Sequence, residues 1–150
     1  MFTMMNNARL GVGVQDLAVA ERAYQQAAAY ARDRRQGRAP GAQVGVISPI
    51  SEHPAARRML LTQRAGIKAV RSLAYLLAES MDLAHHRPDA GVRAARGELV
   101  GLLTPVTNGW GTDLGVELTS LALRVHACAG YIGETGVAQH FRDVRITPIY

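Results

Sequence analysis

Residues 59–84, MLLTQRAGIKAVRSLAYLLAESMDLA, carry apolar side chains at Met59, Ile67, Val70, Ala74, Leu77, Met81 and Ala84. Steps of three, four and eight residues place all seven on one stripe of an α-helix, a period no strand produces. Upstream, His53-Pro54 supplies a start, because proline at the first helical position lacks only an N–H that would go unpaired there. Downstream the pattern fades at His85, His86, Arg87 and Pro88, which gives a helix of roughly eight turns.

Similar stripes flank it. Toward the N-terminus, Leu10, Val14, Leu17, Tyr24, Ala28 and Ala31 predict a long helix from about Asn6 to Arg35. Between the two, Gln36 to Ser51 contains Gly37, Pro40, Gly41, Gly45 and Pro49, which defeat a continuous helix. A connection of this length usually serves a function or packs on a partner. Toward the C-terminus, Leu99, Leu103, Val106, Trp110, Leu114, Leu118, Leu121 and Val125 predict a third helix, kinked or divided at Pro105 and ended by Gly130. The glycines Gly97, Gly101, Gly109, Gly111 and Gly115 within it point either to close helix approach or to a flexible break. A shorter helix is expected over Thr135 to Arg145, with Val137, Phe141 and Val144 on one side and Pro148 as its limit. Three long stripes and one short one fit an all-α, up-and-down four-helix bundle forming a single domain over residues 1–150.

Composition agrees with that class. The 150 residues are 48% hydrophobic and only 5% aromatic, enough for one core packed through small and aliphatic side chains. The net charge of +5 is almost all arginine, Lys68 being the only lysine. Its densest run, Arg32, Arg34, Arg35 and Arg38, lies where cations complement a helix C-terminus, and the competing reading is an anion site. Nucleic-acid binding by this run is disfavoured, since no aromatic residues are interleaved for base stacking. The lone Cys128 permits no internal disulfide and is expected to be a small buried residue; it is compatible with a reducing cytoplasm. No apolar run reaches the roughly 18 residues of a membrane span.

A self-contained active site is not evident. Paired thiols, a His-Glu-x-x-His, a P-loop and a nucleophile elbow are missing, and Gly11-x-Gly13 lacks the preceding strand and third glycine of a dinucleotide loop. His85 and His86 point about 100° apart on a helix and cannot share an ion, so no metal site is expected. His126, between Val125 and Ala127, reads as a hydrogen-bonded structural histidine. Asp143 and Arg145 are wrongly spaced to pair with each other on a helix.

Two stretches carry more. Tyr30-Ala-Arg-Asp-Arg-Arg-Gln-Gly37, and the run from Arg124-Val-His-Ala-Cys-Ala-Gly-Tyr131 to Arg142-Asp-Val-Arg-Ile-Thr-Pro-Ile-Tyr150, resemble motifs of the acyl-CoA dehydrogenases. The family carries Tyr-Ala-x-x-Arg, then Gln-x-His-Gly-Gly-x-Gly-Tyr, then Arg-Asp-x-Arg-Ile-x-x-Ile-Tyr-Glu-Gly-Thr, in that order. Met4-Met-Asn-Asn-Ala-Arg-Leu-Gly-Val-Gly13 is similar to the opening of the family's C-terminal helical domain. His53-Pro-Ala-Ala-Arg-Arg-Met-Leu-Leu-Thr62 with Leu103-Thr-Pro-Val106 resembles the longer subgroup that includes 3-methylmercaptopropionyl-CoA dehydrogenase.

The resemblance implies a fragment of a longer FAD enzyme, in which an N-terminal helical domain and a β-domain complete the flavin site. It implies α,β-dehydrogenation of an acyl-CoA to a 2-enoyl-CoA, with electrons passing to an electron-transfer flavoprotein, in a dimer or tetramer. Arg34 matches the arginine that reaches the FAD diphosphate of a neighbouring subunit, assisted by Gln36. Asn6 and Arg9 match positions near the acyl-CoA, and Tyr150 matches the residue beside the thioester. The catalytic glutamate would follow Tyr150 directly, so no base is assigned within the chain; Glu98 and Glu117 are alternatives without motif support. Arg124 and Gly130 fall at cofactor-contacting positions, but Arg124 replaces a usual glutamine and Ala127-Cys128 replaces a glycine pair that lets backbone approach the cofactor. Those departures leave a second expectation, a non-catalytic assembly module derived from the family and inactive by itself.

Overall fold

A computed structural model describes residues 2–149, with side chains from residue 4 onward. Five helices follow one another: α1 (Phe2–Asp33), α2 (Pro54–His86), α3 (Ala90–His126), α4 (Cys128–Tyr131) and α5 (Val137–Val144). Single 3-10 turns at Ile50–Glu52 and Gly133–Thr135 complete the regular structure, and no strand occurs among the described residues.

Facing residues give the directions. Gly13 meets Thr107, Gly115 meets Asp16 and Tyr30 stacks on His126, so α1 and α3 run parallel. Gly66 meets Leu114 and Leu118 while Val70 meets Gly111, so α2 runs antiparallel to α3. Gln26 contacts Thr135 and His140, and Asp16 contacts Thr147, so α5 returns antiparallel along α1. The result is the expected up-and-down bundle with a short fourth helix. Two clusters fill it: Ala23, Ala27, Ala31, Ala122, Val125 and Val137 at one end, and Leu17, Ala20, Ile67, Val70 and Leu118 at the middle. An exposed-edge ion pair, Arg71 Nη2 to Glu21 Oε2 at 2.7 Å, ties α1 to α2.

Several sequence expectations change. α3 begins at Ala90, earlier than its apolar pattern, because Asp89 caps it by accepting from the Val92 amide at 3.0 Å. It runs unbroken through Pro105. That ring and the Gly101 carbonyl it leaves without a donor both face solvent, where water serves the carbonyl. It ends at His126, four residues before Gly130. Leu118 and Val125 of the apolar stripe are buried as expected, but the first half of the buried face is Thr104, Thr107, Gly111, Thr112 and Gly115, while Val106 and Trp110 are exposed. Threonine can line such a face because Thr104, Thr112 and Thr119 return their hydroxyl protons to carbonyls one turn earlier. On α1, Asp16, Leu17, Ala20, Ala23, Ala27, Ala28 and Ala31 face inward and Val14 outward. Gly111 and Gly115 do mark close approach; Gly97, Gly101 and Gly109 face open space. Cys128 is exposed, not buried, because α3 has already ended.

The long connection closes on itself. Arg35 and Pro49 form an isolated antiparallel bridge, Gln36 N donates to Ser48 O at 3.0 Å, and Ser48 N donates to Gly37 O at 2.9 Å. Buried Ser48 accepts from the Ala39 amide through its hydroxyl at 3.2 Å. Gly37, at φ 64, makes the reversal that an L side chain would resist. The segment is thus a compact loop with a zipped neck.

Candidate functional site

The sequence-predicted site residues fall into two groups at opposite ends of α1. Asn6 and Arg9 lie in its first turns, half-buried. The C-terminal tail comes back beside them: Ala8, Gly11, Val12 and Gln15 of α1 line a cleft of about 350 Å³ with Ile146 and Thr147. Tyr150 itself lies outside the described residues. Arg34 and Gln36 sit 25 and 27 residues further along the chain from Arg9, and at the helical rise Arg34 is roughly 37 Å away. One copy of the chain therefore does not bring the two groups together.

At the far end, Arg34 follows the last turn of α1. Its backbone is held by Tyr30 O and by Ile50 N, both at 2.8 Å, while its guanidinium is exposed and hydrogen-bonds to no described residue. Gln36 is fixed through its backbone, its carbonyl accepting from His53 Nε2–H at 2.8 Å, and its side chain is exposed. Rigid backbone with a free cationic head suits an anion supplied by another body.

Arg124, in the last turn of α3, lines a second cleft, about 640 Å³, with Leu123, Ala127, Gly130, Tyr131, Ala138 and Arg142. Arg34 does not reach this cleft. Gly130 has a packing reason of its own: it is buried, and a Cβ there would come within 2.5 Å of the Leu123 carbonyl oxygen. Ala127 sits at φ 50, ψ −129, the only non-glycine with positive φ among the described residues. Glycine would take that conformation freely; alanine is strained in it.

His126 is structural, as expected. It is 2% exposed, its Nδ1–H donates to Ala122 O at 2.9 Å, and its ring stacks on Tyr30 with centroids 4.4 Å apart. Nearby, His140 Nε2–H donates to Gln26 Oε1 at 3.0 Å, and Gln26 Nε2 donates to Thr135 O. Burial, with Arg22 close by, holds His140 below the ordinary histidine range. Asp143 pairs with Gln139, not with Arg145.

Sequence reasoning missed the one strongly perturbed acid. Asp16 is 1% exposed, and burial raises its carboxyl to about 7 against the opposing effect of a hydrogen bond from Thr147. An ionisable residue inside an alanine-rich helix face was the available signal. Among the described residues, no three His, Cys, Asp or Glu side chains converge as metal ligands, and no helix is long and apolar enough to cross a membrane.

Comparison with known proteins bears on these groups. The family model for the acyl-CoA dehydrogenase C-terminal domain matches residues 1–150. The chain is 47% identical over 150 residues to a 3-methylmercaptopropionyl-CoA dehydrogenase of Ruegeria pomeroyi, covering all of this chain and 25% of that protein. It is 29% identical over 154 residues to the broad-specificity linear acyl-CoA dehydrogenase FadE5 of Mycobacterium tuberculosis, with the same coverage. The chain thus spans about a quarter of the length of these curated relatives. The butyryl-CoA dehydrogenase structure from Megasphaera elsdenii superposes with a TM-score of 0.78 over 99% of this chain and 33% of its own, at 24% identity, which speaks to the fold. Matched from end to end by the family's own domain and folded as a member's bundle is, the chain belongs to the acyl-CoA dehydrogenase family, as its C-terminal helical domain.

Proposed function

We propose that this bundle serves a full-length FAD-dependent dehydrogenase that converts an acyl-CoA thioester to the trans-2-enoyl-CoA. The observation that carries the reading is 47% identity sustained over every part of the chain to a relative named for that chemistry. The bound flavin supplies the hydride acceptor, and the residues of this chain supply position and charge.

At the tail end, Asn6 and Arg9 contact the acyl-CoA, Tyr150 lies beside the thioester, and the residue after Tyr150 in the longer protein is the glutamate that removes the α-proton. At the far end, the exposed Arg34 guanidinium, with Gln36, offers a fork of donors to the flavin diphosphate of a neighbouring copy. The separation of the two groups along α1 supports a homo-oligomer in which each site draws on two subunits. Arg124 and Gly130 adjoin the adenosine side. That part fits less well, because the strained Ala127 puts a methyl where glycine would leave backbone open. An electron-transfer flavoprotein accepts the electrons, and the single unpaired cysteine suits a cytoplasmic setting.

The test uses the full-length protein with 3-methylmercaptopropionyl-CoA, butyryl-CoA and an artificial electron acceptor. Acyl-CoA-dependent acceptor reduction with formation of the 2-enoyl-CoA is expected. A folded oligomer that retains no FAD and oxidises none of these thioesters would favour the second reading, an assembly module, for which the alanine at position 127 is the specific observation.

A further inference from the structure

After Val144 the described tail has one buried residue, Thr147; Arg145, Ile146, Pro148 and Ile149 are all exposed. Its hydroxyl lies 2.9 Å from Asp16 Oδ1, across 131 residues of sequence, and 2.8 Å from the Val144 carbonyl oxygen. A hydroxyl has one proton to give. The Val144 carbonyl also accepts from the Thr147 backbone N–H at 3.1 Å, so it stays bonded when the hydroxyl turns to Asp16. The Thr147 hydroxyl therefore donates to Asp16 Oδ1, and that bond ties the tail to α1. Burial pushes Asp16 up to about 7. The carboxyl occupies space that opens only because Gly115 of α3 has no side chain.

Among the described residues no charged side chain pairs with it. On α1, Glu21 is engaged with Arg71 of α2. Asp113 and Glu117 of α3, Lys68 of α2 and Arg145 before the tail are exposed. Among the described residues, burial raises the acid and the Thr147 hydroxyl lowers it.

We propose that Asp16, acting through Thr147, is a positioning residue that pins the tail to α1 and so fixes where the residue following Tyr150 presents its side chain to substrate. The assignment of that residue as the base rests on the function proposed above; the pinning of the tail does not.

Hydrogen–deuterium exchange on the full-length protein, together with steady-state kinetics, tests both parts. Asp16→Ala and Thr147→Val should exchange the amides of residues 147 and 149, the hydrogen-bonded ones of the tail, roughly tenfold faster than the parent, as expected for loss of one buried hydrogen bond. Thr147→Ser, which keeps the hydroxyl, should restore parental exchange. Asp16→Asn keeps a side-chain oxygen that accepts from the Thr147 hydroxyl, so its tail should stay as protected as the parent's. In the same variants that loosen the tail, kcat should fall about tenfold or more with KM and flavin content unchanged, because a misplaced base costs rate without costing binding. Parental exchange in both Asp16→Ala and Thr147→Val would overturn the pin whether or not the protein is a dehydrogenase. A loosened tail with unaltered kcat in an active enzyme would overturn the positioning role. A full-length protein with no dehydrogenase activity would end the functional reading while the exchange data still decided the pin.

Discussion

Ala127→Gly offers the sharpest test of how α3 ends. Ala127 adopts φ 50, ψ −129, with its N–H donating to Arg124 O at 3.2 Å and its carbonyl accepting from Gly130 N at 2.9 Å, so the turn around it is fully bonded and has little freedom to relax. A non-glycine residue held there costs about 1–3 kcal/mol. Glycine removes that cost but loses about 0.5–1 kcal/mol more backbone entropy on folding. The methyl is exposed, so its removal forfeits little packing. The net expectation is a gain of about 1 kcal/mol, or roughly 2–4 °C in Tm for a chain of this size. Urea and thermal unfolding followed by circular dichroism would measure it, with Ala29→Gly as the control. Ala29 is exposed inside α1, about one turn before its end at Asp33, and glycine there should destabilise by about 1 kcal/mol. If both substitutions destabilise equally, the strained turn does not exist and the account of this corner is wrong. In the full-length protein the same change should also raise flavin retention if the methyl crowds the cofactor's adenosine side.

Other outcomes follow from single groups. Asp16 has a folded pKa of about 7, above its ordinary 3.8, so the folded chain holds that proton more tightly; its effect is absent below pH 4 and grows into a penalty as pH rises from 4 to 7. Asp16→Asn should therefore match the parent near pH 4 and exceed it at pH 8, by at most about 4 kcal/mol; an equal stability difference at both pH values in denaturant melts would contradict this. Gly115→Ala places a methyl on the Asp16 carboxyl and should cost about 1–3 kcal/mol or more, whereas Gly101→Ala, with open space before it, should be neutral or stabilising; matching melts for the two would refute the close approach. Arg34→Ala should leave the melting of the isolated bundle unchanged within about 0.5 kcal/mol, since its guanidinium bonds to no described residue, but weaken flavin affinity of the full-length protein roughly tenfold to a hundredfold, as measured by equilibrium dialysis.

Much of this architecture is legible in periodicity. The α2 stripe of Ile67, Val70, Ala74 and Leu77 is buried as read, and so are Val137 and Val144 of α5. On α1 and α3 the stripes hold at Leu17, Ala28, Ala31, Leu118 and Val125 but fail at Val14, Val106 and Trp110, for one physical reason. Helices that approach closely bury small residues and polar ones that bond their own backbone, here Gly13, Gly115, Thr104, Thr112 and Thr119, and a search for large apolar side chains rotates the inferred face away from them. Pro105 misled for a related reason, since a proline on the solvent side of a helix breaks one hydrogen bond and not the helix. The site was legible only through motif order. Nothing in spacing alone singles out Arg34, and its exposed, unengaged guanidinium acquires meaning only beside a second body. Gly130 illustrates the converse, a motif residue for which packing against Leu123 already gives a sufficient cause.

The central claim is that this domain works on an acyl-CoA beside a flavin. Anaerobic titration of the full-length protein with 3-methylmercaptopropionyl-CoA or butyryl-CoA tests it without any electron acceptor. The account predicts that the flavin absorbance bleaches in proportion to added thioester and that 2-enoyl-CoA appears in equal amount. A flavin that stays oxidised in the presence of both thioesters, in protein shown to bind them, would contradict it.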